Sequence, residues 1–137
     1  LFNSAGHLAE AATSNILVEL DGEVVTPPLH SGCLPVITRG LISEFGVREA
    51  DIDASGLDRA TAAALLSSTR GVQPIHAIGE RELDVTDACL RQVMDSYRAQ
   101  VEQDKKNWAR TPKDPAQRES WLLTADVFAG CLKWLPL

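Results

Sequence analysis

The chain has 137 residues, of which 45% are hydrophobic and 23% are charged, values typical of a soluble globular domain with a core of its own. The net charge of −6, without a basic stripe, argues against nucleic-acid binding, because phosphate neutralisation supplies most of that affinity. No apolar stretch approaches the ~20 residues of a membrane span. The three scattered cysteines fit a cytoplasmic protein and form no zinc or disulfide pattern.

The first elements read as two hairpins. Residues 3–6 form an apparent turn, and apolar alternation predicts a strand over residues 13–20. Asp21-Gly22 then gives a strong signal for a tight turn, and the returning strand ends at Pro27-Pro28, because proline cannot donate to a sheet.

The middle of the chain predicts a helix followed by a loop. Residues 35–46 have helical spacing, with the helix ending at Gly46 and its buried stripe formed by Ile37, Leu41, Ile42 and Phe45. Residues 47–58 are acidic and predict a loop, with Ile52 as a possible short strand.

Two strands and a helix are expected next. The strands cover residues 62–66 and 72–78, with a turn at Gly79-Glu80, and a helix capped by Thr86 is expected to run to about residue 103. Residues 104–118 are polar and predict a linker, followed by an amphipathic tail helix. We therefore expect a mixed domain over residues 1–105 and a linker with a tail over residues 106–137.

Three segments contain residues able to bind a charged group. Residues 34–39 enter the expected helix, where free N–H groups and the Thr38 hydroxyl could receive an anion. Residues 67–72 form a hydroxyl-rich turn with Arg70, which could receive another. Glu10 lies among small residues before the first strand, where a buried carboxylate needs a cationic partner. Taken singly, each has an ordinary explanation: a capped helix, a polar surface turn and an exposed glutamate.

Together the segments resemble the class IV (fold type IV) pyridoxal phosphate enzymes. The family motif Glu-Gly-x-x-Ser-Asn is similar to Glu10-Ala11-Ala12-Thr13-Ser14-Asn15. At the family's spacing follow Thr26-Pro27-Pro28-Leu29 and Gly32-x-Leu34-Pro35-x-Ile37-Thr38-Arg39, and the last phosphate-side loop is similar to Ser68-x-Arg70-Gly71-Val72-x-Pro74. The resemblance covers residues 2–79, a little more than half of the chain.

The resemblance implies a fold, a cofactor and a set of site residues. The fold is α/β (mixed α+β), the C-terminal domain of the D-amino acid aminotransferase-like proteins, with mixed strands in a barrel-like sheet and flanking helices. The cofactor is pyridoxal 5'-phosphate. Its pyridine nitrogen would pair with Glu10, and its phosphate would be bound by Ile37, Thr38 and Ser68. A substrate carboxylate would meet Thr69 and Arg70, while Asn15 and Arg39 would brace the site.

Two departures from the family pattern stand out. Ala11 replaces the motif glycine, which could crowd the cofactor ring. The family's Schiff-base lysine lies some tens of residues before the glutamate motif, whereas only nine residues precede Glu10 here and none is lysine. The four lysines all come late, at Lys105, Lys106, Lys113 and Lys133. We therefore expect no catalytic residue in this chain, which we interpret as an inactive fragment of a longer enzyme.

The last loop favours one reaction of the family. Ser68-x-Arg70-Gly71 is more similar to the Asn-Ser-Leu-Arg-Gly loop of 4-amino-4-deoxychorismate lyase, which releases pyruvate and gives 4-aminobenzoate, than to the Thr-x-x-Glu pattern of the transaminases. The alternative is a branched-chain or D-amino acid aminotransferase. The small-molecule partner is then an amino acid or an aminodeoxychorismate-like substrate, and the family implies a homodimer.

A non-enzymatic alternative comes from the tail. All three tryptophans, Trp108, Trp121 and Trp134, lie after residue 105, and a tryptophan-rich amphipathic helix could dock on a partner. In that case the chain is a binding or interaction half domain. The ordinary expectation is that the tail helix folds back on its own domain.

Overall fold

A computed structural model describes residues 1–109 of the chain, with side-chain surroundings for residues 1–107. Two compact units are distinguished: the first is Leu1–Tyr97, and the second begins at Arg98. Within the described range, no helix combines the length and the apolar character needed to cross a membrane. The predicted tail helix and its tryptophans lie outside the residues with described side chains.

The first unit is built on an open, five-stranded sheet. Its strands are β1 (Asn15–Leu20), β2 (Glu23–Thr26), β3 (Arg48–Glu49), β4 (Ala62–Ser67) and β5 (Gly71–Ile75). The strand order is β3-β2-β1-β4-β5, with every pair antiparallel except β2 and β3. The edge strands, β3 and β5, do not pair with each other, so the barrel-like closure expected from the sequence is not seen in residues 1–109. The mixed α and β class is confirmed.

Strand β1 is central and buried on both faces. Ile16 and Val18 join a core cluster on one face with Val25 and Ile52, whereas Leu17 joins a separate cluster on the other. The predicted hairpin after β1 is confirmed, because β2 returns through Asp21-Gly22 with Leu20 paired to Glu23. Both faces of β1 are therefore buried, although the Leu17 face also carries two polar residues, Asn15 and Glu19.

The helix after β2 is confirmed in place but is shorter than predicted. Helix α1 covers Ile37–Ile42, and a 3₁₀ turn, Ser43–Phe45, continues to Gly46. The predicted buried stripe is confirmed at Ile42 and, in part, at Phe45, which packs against the core, but it was wrong at Ile37, which is 68% exposed. The buried residues of α1 are Thr38, Arg39 and Ile42. The polar contacts of Arg39, described below, and the burial of Ile42 in the core both favour this orientation of the short helix.

The prediction of a loop over residues 47–58 missed a helix. Helix α2 covers Ala54–Arg59, and its first turn is capped by Asp53 Oδ1, which accepts from the Gly56 N–H at 2.6 Å. At its other end, the Arg81 guanidinium donates to the carbonyls of Leu57 and Ala60. Arg81 lies in the small hairpin of β6 (Ala77–Ile78) and β7 (Arg81–Glu82).

Helix α3 covers Ala88–Ala109, so it extends beyond the predicted end near residue 103. Its capping residue is Asp87, whose Oδ1 accepts from the Leu90 N–H at 2.7 Å. Thr86, the predicted cap, instead donates its N–H and hydroxyl to Asp84. Leu90 is buried in the cluster on the Leu17 face of the sheet.

Candidate functional site

The sheet brings the candidate residues to one end, here called the site end. Asn15 opens β1 and is paired with Leu66 near the end of β4. In this antiparallel arrangement, the start of β1, the end of β2, the end of β4 and the start of β5 face the same way. The turn of residues 68–70 and the segment before β1 therefore lie at the same end of the sheet.

Glu10 is tied into the site end by its side chain. Its Oε2 accepts from Asn15 Nδ2 at 3.1 Å and from the backbone N–H of Leu34 at 3.0 Å. Asn15 is buried, and Glu10 is partly buried. Glu10 is thus joined directly to residues 34–39, the segment that enters α1.

The start of α1 presents backbone donors. The first α1 hydrogen bond is donated by the Gly40 N–H to the Val36 carbonyl at 3.2 Å. Among residues 1–109, no backbone carbonyl accepts from the N–H groups of Ile37 or Thr38, as expected for the first turn of a helix. Thr38 is buried while Ile37 points its side chain outward, so Ile37 can contribute to a site through its main chain.

The turn between β4 and β5 is exposed and held by its own hydroxyls. Ser67 Oγ accepts from the Arg70 N–H at 3.1 Å and lies 3.4 Å from Thr69 Oγ1. Ser68, Thr69 and Arg70 are all exposed. Within the described range, no carboxylate lies within ion-pair distance of the Arg70 guanidinium, which leaves this cation free to receive an anion.

Arg39 braces the region beneath α1. Its Nη2 donates to the Pro27 carbonyl at 3.0 Å and to Glu49 Oε1 at 2.6 Å, which ties α1 to the end of β2 and to β3. Cys33 Sγ also donates to the Pro27 carbonyl, at 3.6 Å. Burial raises the pKa of the Cys33 thiol, so it stays protonated and unreactive near neutral pH.

Sequence reasoning singled out the side chains of this site but missed one donor. The Leu34 N–H belongs to the main chain, and no side-chain pattern marks it; the Leu34 side chain is itself exposed. Glu49 was also missed, because it lay in a stretch interpreted as a loop. No lysine occurs in residues 1–104, and Lys105 Nζ is paired with Glu102 Oε1 at 2.7 Å on α3.

Comparison with known proteins decides the family. The profile of the family described as amino-transferase class IV matches residues 1–78. The chain belongs to the class IV aminotransferase family. No protein of curated function matches it at the sequence level.

Solved structures of the same fold cover most of this chain. An aminotransferase from Brucella abortus bound to the co-factor PLP is 25% identical, with a TM-score of 0.67, 73% of this chain covered and 38% of the other. A branched-chain aminotransferase from Thermoproteus uzoniensis with norvaline is 29% identical, with a TM-score of 0.65 and coverages of 72% and 35%. A putative 4-amino-4-deoxychorismate lyase from Legionella pneumophila is similar in fold, at 21% identity, a TM-score of 0.65 and coverages of 75% and 39%. The chain thus spans less than two fifths of the length of these proteins.

Proposed function

We propose that residues 1–97 are the cofactor-binding part of a pyridoxal 5'-phosphate enzyme. The observation that carries the proposal is the Glu10 carboxylate, which is fixed at the site end through Oε2 while Oε1 accepts no hydrogen bond from residues 1–109. A fixed carboxylate with one free oxygen suits a protonated ring nitrogen. Family membership and the cofactor bound to the Brucella abortus structure support the same group.

The other site residues fit the remainder of the cofactor. The free N–H groups of Ile37 and Thr38 and the Ser68 hydroxyl would hold its phosphate, because such donors at a helix start favour an anion. Glu10 would hold a proton on the pyridine nitrogen. When bound, the cofactor supplies an electron sink for a carbanion of the substrate.

Thr69 and Arg70 would bind the substrate. The Arg70 guanidinium is exposed at the site end without a carboxylate partner in the described range, and it presents a planar set of donors that matches a carboxylate. Thr69 would add a hydroxyl. We infer that the substrate is a small carboxylate-bearing molecule, an amino acid or an aminodeoxychorismate-like compound.

For the reaction we propose pyruvate release from 4-amino-4-deoxychorismate, giving 4-aminobenzoate. The support is the Ser68-x-Arg70 loop, with its resemblance to the lyase. Gly71 adds less to this proposal than the sequence suggested, because the Tyr97 ring lies where a side chain at position 71 would begin. The 29% identity to the Thermoproteus uzoniensis enzyme supports a second candidate, branched-chain amino acid transamination.

Assembly and location follow as lesser proposals. We infer that the intact enzyme is a homodimer in the cytoplasm, which rests on the family resemblance and on the scattered cysteines. An interaction half domain without cofactor is the alternative that the following experiment excludes or supports.

The direct test is binding of pyridoxal phosphate to the full 137-residue chain, measured by calorimetry beside pyridoxal, which lacks the phosphate. We expect saturable 1:1 binding of pyridoxal phosphate and at least about tenfold weaker binding of pyridoxal, the change expected when one charge-assisted hydrogen bond is lost. Ser68→Ala should reduce the ratio of the two affinities, for pyridoxal phosphate and for pyridoxal. Ser96→Ala, which changes a serine on α3, should leave this ratio unchanged. Equal affinity for both compounds, or no binding, would contradict the proposal.

The reaction itself is tested in the intact enzyme. With 4-amino-4-deoxychorismate, the lyase proposal predicts equimolar pyruvate and 4-aminobenzoate without a 2-oxo acid acceptor. With leucine and 2-oxoglutarate, the second candidate predicts glutamate. In either case, Arg70→Ala should raise KM for the substrate, because it removes the charge that receives the carboxylate; an unchanged KM with both substrates would refute the assignment of Arg70.

A further inference from the structure

The two oxygens of the Glu10 carboxylate have different surroundings. Oε2 accepts two hydrogen bonds, from Asn15 Nδ2 at 3.1 Å and from the Leu34 N–H at 3.0 Å. Oε1 accepts none from residues 1–109. A glutamate side chain has three rotatable bonds, so two donors on one oxygen restrict both its position and the plane of the carboxylate.

The two donors belong to different parts of the fold. Asn15 is the first residue of β1, is 2% exposed, and is held in the sheet by its pairing with Leu66 of β4. Leu34 lies in the loop between the end of β2 and the start of α1. Glu10 Oε2 thus connects the central strand to the loop that enters the helix.

The side chain of Asn15 is poorly explained by stability alone. Its Oδ1 is buried and has no hydrogen-bond partner in the described part of the chain. A buried acceptor without a partner destabilises a fold, whereas an apolar side chain of the same size would carry no such cost. Among residues 1–109, the hydrogen bond that the Asn15 side chain makes is the one to Glu10.

We propose that Asn15 is a positioning residue, which together with the Leu34 N–H fixes Oε2 so that Oε1 is the oxygen presented to the cofactor's pyridine nitrogen. The inference rests on the proposed function, in which Glu10 meets that nitrogen. The proposal links the two ends of the cofactor site, because the N–H groups assigned to the phosphate, those of Ile37 and Thr38, follow Leu34 by three and four residues.

The experiment uses the full chain and two probes, pyridoxal phosphate and its 1-deaza analogue, in which a C–H replaces the ring nitrogen. Asn15→Leu keeps the branched shape and the number of heavy atoms of the side chain while removing both the donor and the unpaired acceptor. We expect it to weaken pyridoxal phosphate binding about tenfold, the scale of one charge-assisted hydrogen bond, while the affinity for the analogue changes less than about twofold. The free energy of unfolding should stay equal or rise.

Two controls complete the test. Asn107→Leu makes the same substitution at an asparagine paired with Gln103 on α3, and it should alter neither affinity. In a Glu10→Gln background, Asn15→Leu should no longer change the ratio of the two affinities, because its effect passes through the carboxylate.

The outcomes separate this inference from the proposed function. Equal weakening of both probes by Asn15→Leu, or an unchanged ratio, would overturn the positioning role while leaving the cofactor site in place. If the unmodified chain binds both probes equally, Glu10 does not meet the ring nitrogen, and the proposed function fails in this respect together with the inference.

Discussion

Replacing Gly71 by alanine tests how tightly the turn at the site end is packed. Gly71 begins β5 directly after the turn of residues 68–70, with a φ of +69°, and a Cβ there would lie 2.6 Å from Cε1 of Tyr97. The left-handed backbone costs a residue with a Cβ about 1–2 kcal/mol. Displacing the Tyr97 ring, which packs against the core, adds about 1–2 kcal/mol of overpacking. We therefore expect a loss of about 2–4 kcal/mol in the free energy of unfolding.

Gly79 supplies the matched control. Its φ is +62°, similar to that of Gly71, but nothing lies within 4 Å of the position of its Cβ. Gly79→Ala should therefore lose only the backbone part, about 1–2 kcal/mol. The difference between the two variants measures the steric contact with Tyr97.

The assay is urea unfolding monitored by circular dichroism. The dependence of the unfolding free energy on urea concentration is compared among the variants. Tyr97→Leu removes the ring. In a protein that already carries Tyr97→Leu, Gly71→Ala should therefore lower the free energy of unfolding by less than it does in the unmodified protein. Equal losses for Gly71→Ala and Gly79→Ala, or no coupling with Tyr97, would refute the reasoning. The Tyr97 ring would then not limit the space for a side chain at position 71.

Three further predictions concern stability. Leu66→Ala, at a fully buried position of β4, should lower the free energy of unfolding by about 2–5 kcal/mol in the same assay, and a loss below about 1 kcal/mol would contradict its place in the core. Arg81→Met removes the guanidinium that caps the end of α2 and should lower the free energy of unfolding by about 1–3 kcal/mol. The substitution should also increase the rate of amide exchange more in residues 54–60 than in β1. The hydrogen bond from the Gly56 N–H, together with one from the Ser55 hydroxyl, lowers the pKa of Asp53. The contribution of the ionised Asp53 to stability is therefore present above the unfolded pKa near 4 and is lost as the pH falls through the lower folded pKa. Asp53→Asn should thus reduce the fall in the free energy of unfolding at acid pH. An unchanged fall would show that the cap does not depend on charge.

Local chemistry explains which parts of the fold the sequence predicted. Asp21-Gly22 predicted the hairpin between β1 and β2, and Pro27-Pro28 predicted the end of β2, because turn geometry and the missing proline donor are properties of single residues. Helix α2 escaped prediction since its six residues contain one glycine and little apolar periodicity. Its stability comes from Asp53 at one end and from Arg81, more than twenty residues away in the chain, at the other.

The amino-acid sequence by itself determined the family resemblance, the residue types of the site and their order along the chain. The tertiary structure decided which atoms of those residues are free to act. Antiparallel pairing of β1 and β4 brought Asn15 beside Leu66, and the loop before α1 delivered the Leu34 N–H to Glu10. A backbone donor has no side-chain signature, and which face of a short helix is buried depends on the bonds of Arg39 to distant residues. Such contacts join segments far apart in the chain, so they exist only once the sheet has formed.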